Sequence, residues 1–129
     1  MSKPISTMMA GQATAVDMDD SIEQVEAVLR ANNLSALPVI DSANRSVVGV
    51  ISARDLVRFH SEKRSPADVH AWEVCSYNPV EAGPDAPVSE VARLMVERGV
   101  HHVVITENKE IKGIVSALDF VKQFIQEDS

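Results

Sequence analysis

Apolar residues at Ile22, Val25, Val28 and Leu29 are spaced by three and four, which lines them along one face of a helix. Ser21 followed by Gln24 is a capping-box pattern that opens this helix, and Asn32-Asn33 should close it. An apolar run from Leu37 to Ile40, a polar turn from Asp41 to Arg45 and a second run from Val47 to Ile51 predict a short β-hairpin. A second helix is expected from about Ala53 to Phe59, buried through Leu56 and Val57. The same string returns downstream. Pro87 stands near a first helical position, Val88, Val91, Leu94 and Met95 form the stripe, and Gly99 is a helix stop. Val103 to Ile105 and Ile111 to Val115 then read as paired strands turning through Glu107 to Glu110, with a last helix over Leu118 to Ile125. The short runs Ala13 to Val16 and Pro79 to Ala82 add one more strand to each half.

The repetition extends to identity. Gly49-Val50-Ile51-Ser52-Ala53-Arg54-Asp55-Leu56-Val57 matches Gly113-Ile114-Val115-Ser116-Ala117-Leu118-Asp119-Phe120-Val121 at five of nine positions. The offset is 64 here and 66 upstream, so the first half carries two extra residues between Asp41 and Val48. The predicted fold class is α/β (α+β): two β-α-β-β-α repeats, 1–62 and 63–129, with a polar linker at about 61–68 containing Pro66.

Composition narrows the function. At 129 residues the chain fits one domain or two closely packed halves. Apolar residues at 45% and charged residues at 24% are those of a globular protein, but aromatics are only 4%, too few for a stacking platform on single-stranded nucleic acid. A net charge of −7 with dispersed Lys and Arg makes nucleic acid and anionic membranes poor partners. No apolar run approaches the roughly 20 residues of a bilayer span, and no signal sequence opens the chain, so a soluble, cytoplasmic protein is expected.

The candidate chemistry is sparse. His101-His102 are adjacent on a strand and point to opposite faces, which argues against a shared metal. Cys75 has neither a base nor an orienting group beside it and reads as a buried structural thiol. Met8, Met9 and Met95 read as packing residues. No phosphate loop, zinc-ligand spacing or dinucleotide fingerprint is present, and no catalytic residue is expected.

Leu34-Ser35-Ala36-Leu37-Pro38-Val39-Ile40-Asp41 and the two Gly-h-h-Ser-x-x-Asp segments, where h is apolar, resemble the signatures of a tandem pair of cystathionine-β-synthase (CBS) domains. The resemblance covers essentially the whole chain. It implies a pseudo-twofold pair with two clefts that hold AMP, ATP or related adenosyl ligands, and further association into a homodimer. In the second half the Leu-Pro-Val signature becomes Val103-Val104-Ile105 and the following acid becomes Glu107, so the clefts need not be equivalent.

Ser-x-x-Asp alone is a variant capping box that tidies a helix start with no ligand present. Repeated in a CBS-like frame, it supplies a carboxylate for ribose hydroxyls in Asp55 and Asp119, and hydroxyl donors for phosphate in Ser52 and Ser116, at helix N-termini that favour anions. Carried over position by position, the resemblance implies two sites. One joins Ser116, Asp119 and the basic His102 with Met9, Thr14 and Leu34; the other joins Ser52, Arg54 and Asp55 with Cys75, Val80 and Val100. The function expected is a regulatory module that senses an adenine nucleotide and passes the signal to an effector protein, with no resident cofactor. The alternative is a dimerising interaction scaffold with vestigial clefts.

Overall fold

The computed structural model describes residues 3–9 and 13–127, a mixed α/β chain with two sheets and five α-helices among those residues. Its contacts separate into two compact units, Thr14–Pro79 and the combination of Met1–Ala13 with Val80–Ser129.

The first unit runs β1 (Val16–Asp17), α1 (Ile22–Asn32), β2 (Ala36–Asp41), β3 (Ser46–Ser52), α2 (Ala53–Ser61), α3 (Ala71–Val74) and β4 (Ser76–Tyr77). Its sheet has the order β1-β2-β3-β4, with β1 parallel to β2 and the other pairs antiparallel. The capping box at α1 is complete: Gln24 N donates to Ser21 Oγ at 3.1 Å, and Ser21 N donates to Gln24 Oε1 at 2.8 Å. Asn33 closes the helix in the left-handed region at φ 53°, a conformation asparagine tolerates better than most residues. Ile22, Val25 and Leu29 on α1, Leu56 and Phe59 on α2, and Leu37, Val39 and Ile51 on the sheet share one buried core.

The second unit runs from a 3-10 turn (Ile5–Met8) to β5 (Glu81–Ala82), α4 (Val88–Arg98), β6 (His102–Glu107), β7 (Glu110–Ser116) and α5 (Ala117–Glu127), with sheet order β5-β6-β7. Its core gathers Ile5, Val88, Val91, Met95, Val103, Ile105, Val115 and Phe120. Gly99 ends α4 at φ 63°. The hairpins differ where the repeat offset requires: Ser42–Arg45 separate β2 from β3, whereas only Asn108 and Lys109, both at positive φ, separate β6 from β7. Positive φ at both central residues is the geometry of a two-residue hairpin turn.

Each unit is closed by a short segment from outside its β-α-β-β-α string. Ala71 N donates to Asp20 O at 2.8 Å and Ile22 N to Val69 O at 2.9 Å; in the other unit, Ile5 N donates to Ala86 O at 2.7 Å and Val88 N to Lys3 O at 2.8 Å. The two pairs match at an offset of 66, so the stretch preceding each repeat packs on the body of the other.

Four expectations are corrected. Val57 is 72% exposed, because Leu56 and Phe59, three apart, already fill the inward face of α2. The second hairpin turn is two residues long, not four. The added strands are Val16–Asp17 and Glu81–Ala82, shorter and later than the apolar runs. The linker stretch is followed by α3 and β4, which the apolar pattern did not indicate.

Asp17 ties the β1 end to the first hairpin. Its carboxylate accepts from Ser42 Oγ, from Ser42 N at 3.0 Å and from Asp19 N at 3.0 Å. The Ser42 hydroxyl and then the two amides hold its pKa below the ordinary 3.8. A carboxylate depressed in the folded state contributes stability above its unfolded pKa and loses it as pH falls through the folded value. Ser42→Ala is therefore expected to destabilise the protein at pH 7 and to match wild type at the acid end of the titration. Urea unfolding across pH 2 to 7 checks this, and a gap independent of pH would refute it.

Candidate functional site

Both Ser-x-x-Asp segments lie where an inner strand passes directly into a helix. Ser52 ends β3 and caps α2; Ser116 ends β7, and α5 begins at Ala117. At the first, Ser52 N donates to Asp55 Oδ2 at 2.9 Å, Ser52 Oγ donates to the same oxygen at 3.1 Å, and Asp55 N points back at Ser52 Oγ at 3.4 Å. At the second, Ser116 N donates to Asp119 Oδ2 at 2.7 Å and Asp119 N to Ser116 Oγ at 3.3 Å. Helix starts leave amides without intrahelical partners, and the acid in the first turn favours the positive end of the dipole. Each helix is also stitched to the strand before it, Ala53 N to Ser35 O at 2.8 Å and Ala117 N to His101 O at 3.0 Å.

The two carboxylates differ. Asp55 is buried at 7% exposure, and its Oδ1 accepts from Ser76 Oγ at 3.3 Å. Asp119 is half-buried, and among the described residues it makes no further hydrogen bond beyond those to Ser116. Ser76 is a site residue that the sequence pattern did not single out. At the repeat offset of 66 its counterpart is Ala10, so internal similarity carries no signal there.

Of the remaining candidates, the second unit brings His102 directly across from Ser116 in the β6–β7 register, half-buried, with Asp119 one helical turn on. Met9, Val80 and Val100 pack against the core of this same unit. Met9 lies over β7, its sulfur 2.9 Å from where a Cβ on Gly113 would stand. The first unit holds Ser52, Asp55 and Cys75 together with half-buried Thr14 and the exposed Arg54 and Leu34. Leu34 lines an open depression of about 360 Å³ with Glu26, Leu29, Arg30, Asn33 and Leu56. Ala36, the counterpart of His102, pairs with Ser52 and offers no polar group.

Cys75 is buried beside Gly49. Burial pushes its thiol up; the hydrogen bond with Tyr77 opposes this and the Asp55 carboxylate adds to it, so the sulfur is protonated at neutral pH and a poor nucleophile. Among the described residues no group of three or more His, Cys, Asp or Glu side chains is arranged to hold a metal ion.

The model of the CBS domain matches this sequence twice, over residues 5–62 and 71–125. The chain belongs to the CBS domain family. The two matched segments are the two repeats, and the paired helix starts are equivalent positions of two CBS domains. The CBS domain pair of protein MJ0100, in complex with 5-methylthioadenosine and S-adenosyl-L-methionine, superposes with a TM-score of 0.86 at 20% identity, covering 98% of this chain and 99% of that one. The CBS domain protein PAE2072 from Pyrobaculum aerophilum, complexed with AMP, gives a TM-score of 0.82 at 21% identity, covering 96% of each chain. In sequence, the uncharacterized protein YlbB of Bacillus subtilis is 27% identical over 115 residues, 89% of this chain and 78% of that protein. At these identities the structural likeness establishes the fold.

Proposed function

We propose that this CBS pair is a regulatory module that binds an adenosyl ligand, AMP, ADP, ATP or a related compound, at one or both Ser-x-x-Asp sites. It passes the change to an effector protein, acting as a homodimer in the cytoplasm with the ligand as a signal rather than a cofactor. The observation that carries the reading is the duplicated helix start, where a serine hydroxyl and an aspartate carboxylate are held together by each other's backbone amides. A carboxylate with spare lone pairs can accept both hydroxyls of a ribose, and a serine at a helix N-terminus can donate to phosphate. His102 across from Ser116 would add a second phosphate donor. PAE2072 with AMP and MJ0100 with two adenosyl compounds support this ligand class. Ligand moves a conformational equilibrium only by its differential affinity for the two states, commonly about 1 to 3 kcal/mol.

One observation favours the alternative reading, an interaction scaffold: the chain's own groups already donate to both oxygens of the Asp55 carboxylate, Ser52 to one and Ser76 to the other.

Thermal unfolding with AMP, ADP, ATP and S-adenosylmethionine tests the proposal. A compound at 100 times its dissociation constant should stabilise the fold by about 2.7 kcal/mol. Asp55→Ala and Asp119→Ala each remove the carboxylate that accepts from the Ser52 or Ser116 amide at a helix start, so each variant's ligand shift is read against its own unliganded midpoint. One of the two should lose the shift. No shift in nucleotide-free wild type overturns the ligand-sensing reading in favour of the scaffold.

A further inference from the structure

The two helix starts share their serine and aspartate but differ in how much of the carboxylate each leaves for a ligand. An ionised carboxylate offers about four lone-pair positions, two on each oxygen. At Asp55 the chain fills three of them: Ser52 N and Ser52 Oγ donate to Oδ2 at 2.9 and 3.1 Å, and Ser76 Oγ donates to Oδ1 at 3.3 Å. At Asp119, among the described residues, one donor reaches the carboxylate, Ser116 N at 2.7 Å from Oδ2. A ribose held through its neighbouring hydroxyls donates two hydrogen bonds. With one position left, Asp55 can take one of these and not both, whereas the half-buried Asp119 has room for the pair.

Backbone contacts fix Ser76 where it stands. It pairs with Val50 across β3 and β4, and its carbonyl lies so close to Gly49 that a Cβ there would be 2.3 Å away. On either side, Cys75 N donates to Ala71 O at 3.0 Å and the Tyr77 hydroxyl donates to Trp72 O. Because the chain itself carries the Ser76 hydroxyl to Asp55, that hydroxyl competes as an intramolecular donor, at an effective concentration a dissolved nucleotide does not match. In the second repeat the position of Ser76 is filled by Ala10, which has no hydroxyl. Arg54, beside Ser52, has Leu118 as its counterpart. A guanidinium there can draw in a phosphate, but it does not return the lone pairs a ribose needs.

We infer that Ser76 closes the first site as an internal stand-in for a ribose hydroxyl, so that the adenosyl ligand binds at the second site alone, one per chain. This rests on the ligand-sensing reading above and names which of its two sites responds. Asp55 then acts as a tie between α2 and β4.

Calorimetric titration of the full chain with AMP, ADP, ATP and S-adenosylmethionine counts the sites. Wild type should take one equivalent of whichever compound binds. Asp119→Asn, which keeps the size of the side chain, should weaken that binding at least about 10-fold through the loss of a hydrogen bond to a charged group. Ser76→Ala should take two equivalents. Combined with Asp119→Asn it should still take one, now at the first site; combined with Asp55→Asn it should return to one at the second. Ser76→Thr, which keeps the hydroxyl, should bind one. Two equivalents in wild type, binding lost through Asp55→Asn in place of Asp119→Asn, or a count that Ser76→Ala leaves unchanged would each overturn the closure and leave the ligand-sensing reading standing. Binding of none of the four compounds by wild type and by Ser76→Ala would overturn that reading, and the closure with it.

Discussion

Gly49→Ala is expected to destabilise the protein by about 3 kcal/mol, roughly 10 °C in unfolding midpoint, whereas Gly113→Ala should change it by less than about 1 kcal/mol. The two glycines are equivalent in the repeat, so sequence alone assigns them equal cost. Their surroundings differ. A Cβ on Gly49 would stand 2.3 Å from Ser76 O, 3.1 Å from Ser76 C and 3.2 Å from Cys75 Sγ. The obstacle is backbone of β4, paired to β3 through Gly49 with Tyr77 and Val50 with Ser76, and it yields only if that strand leaves. At Gly113 the nearest atoms belong to the Met9 side chain, with Sδ at 2.9 Å, and a thioether with three rotatable bonds can turn aside. Alanine also restricts the unfolded chain, worth about 0.4–1 kcal/mol, which offsets a small strain at Gly113 but not a backbone clash at Gly49. Displacing β4 also removes the Ser76 hydroxyl from Asp55, so Gly49→Ala should disturb the first site and Gly113→Ala should not. Urea unfolding of both variants beside wild type decides it, and equal losses would sink the argument.

These glycines show what the sequence could and could not disclose. The elements with strong local signals were legible: the Ser21-Gln24 box, the Gly99 stop and the apolar runs of the inner strands all led to structure at those places. The Ser-x-x-Asp helix starts were legible for the same reason, since cap and strand end are written within four residues. What stayed hidden depends on contacts between distant segments. Residues 70–75 occupy the place in the first unit that residues 4–9 hold in the second, yet the two stretches share no identical residue at that offset. A search for repetition cannot see a segment conserved only in its backbone hydrogen bonds, so α3, β4 and Ser76 were missed together. Val57 failed differently. Adjacent residues on a helix are 100° apart, and the choice between Leu56 and Val57 was made by Phe59, three residues on, joining Leu56 on the inward face.

That choice makes Phe59 the side chain on which α2 depends. Phe59→Ala is expected to cost about 3–5 kcal/mol, since the ring is 2% exposed and its removal loses transfer free energy and leaves a cavity in the first core. A nine-residue helix has little stability of its own, and with Val57 outward only Leu56 and Phe59 bury apolar surface from α2. The neighbouring His60→Ala removes a 2.7 Å contact to Glu26, yet both side chains are partly solvated and the expected loss is at most about 1 kcal/mol. Burial therefore outweighs the side-chain contact at adjacent positions of one helix. The consequence reaches the site: Asp55 lies one turn before Phe59, and a loosened α2 loses the Ser52–Asp55 cap. Amide exchange should accordingly rise across Ala53–Ser61 in Phe59→Ala and stay near wild type in His60→Ala. If Phe59→Ala costs less than about 1.5 kcal/mol, or if exchange in α2 is unchanged, then α2 is held by its cap and not by its core, and the Ser-x-x-Asp segment is a structural device before it is a binding site.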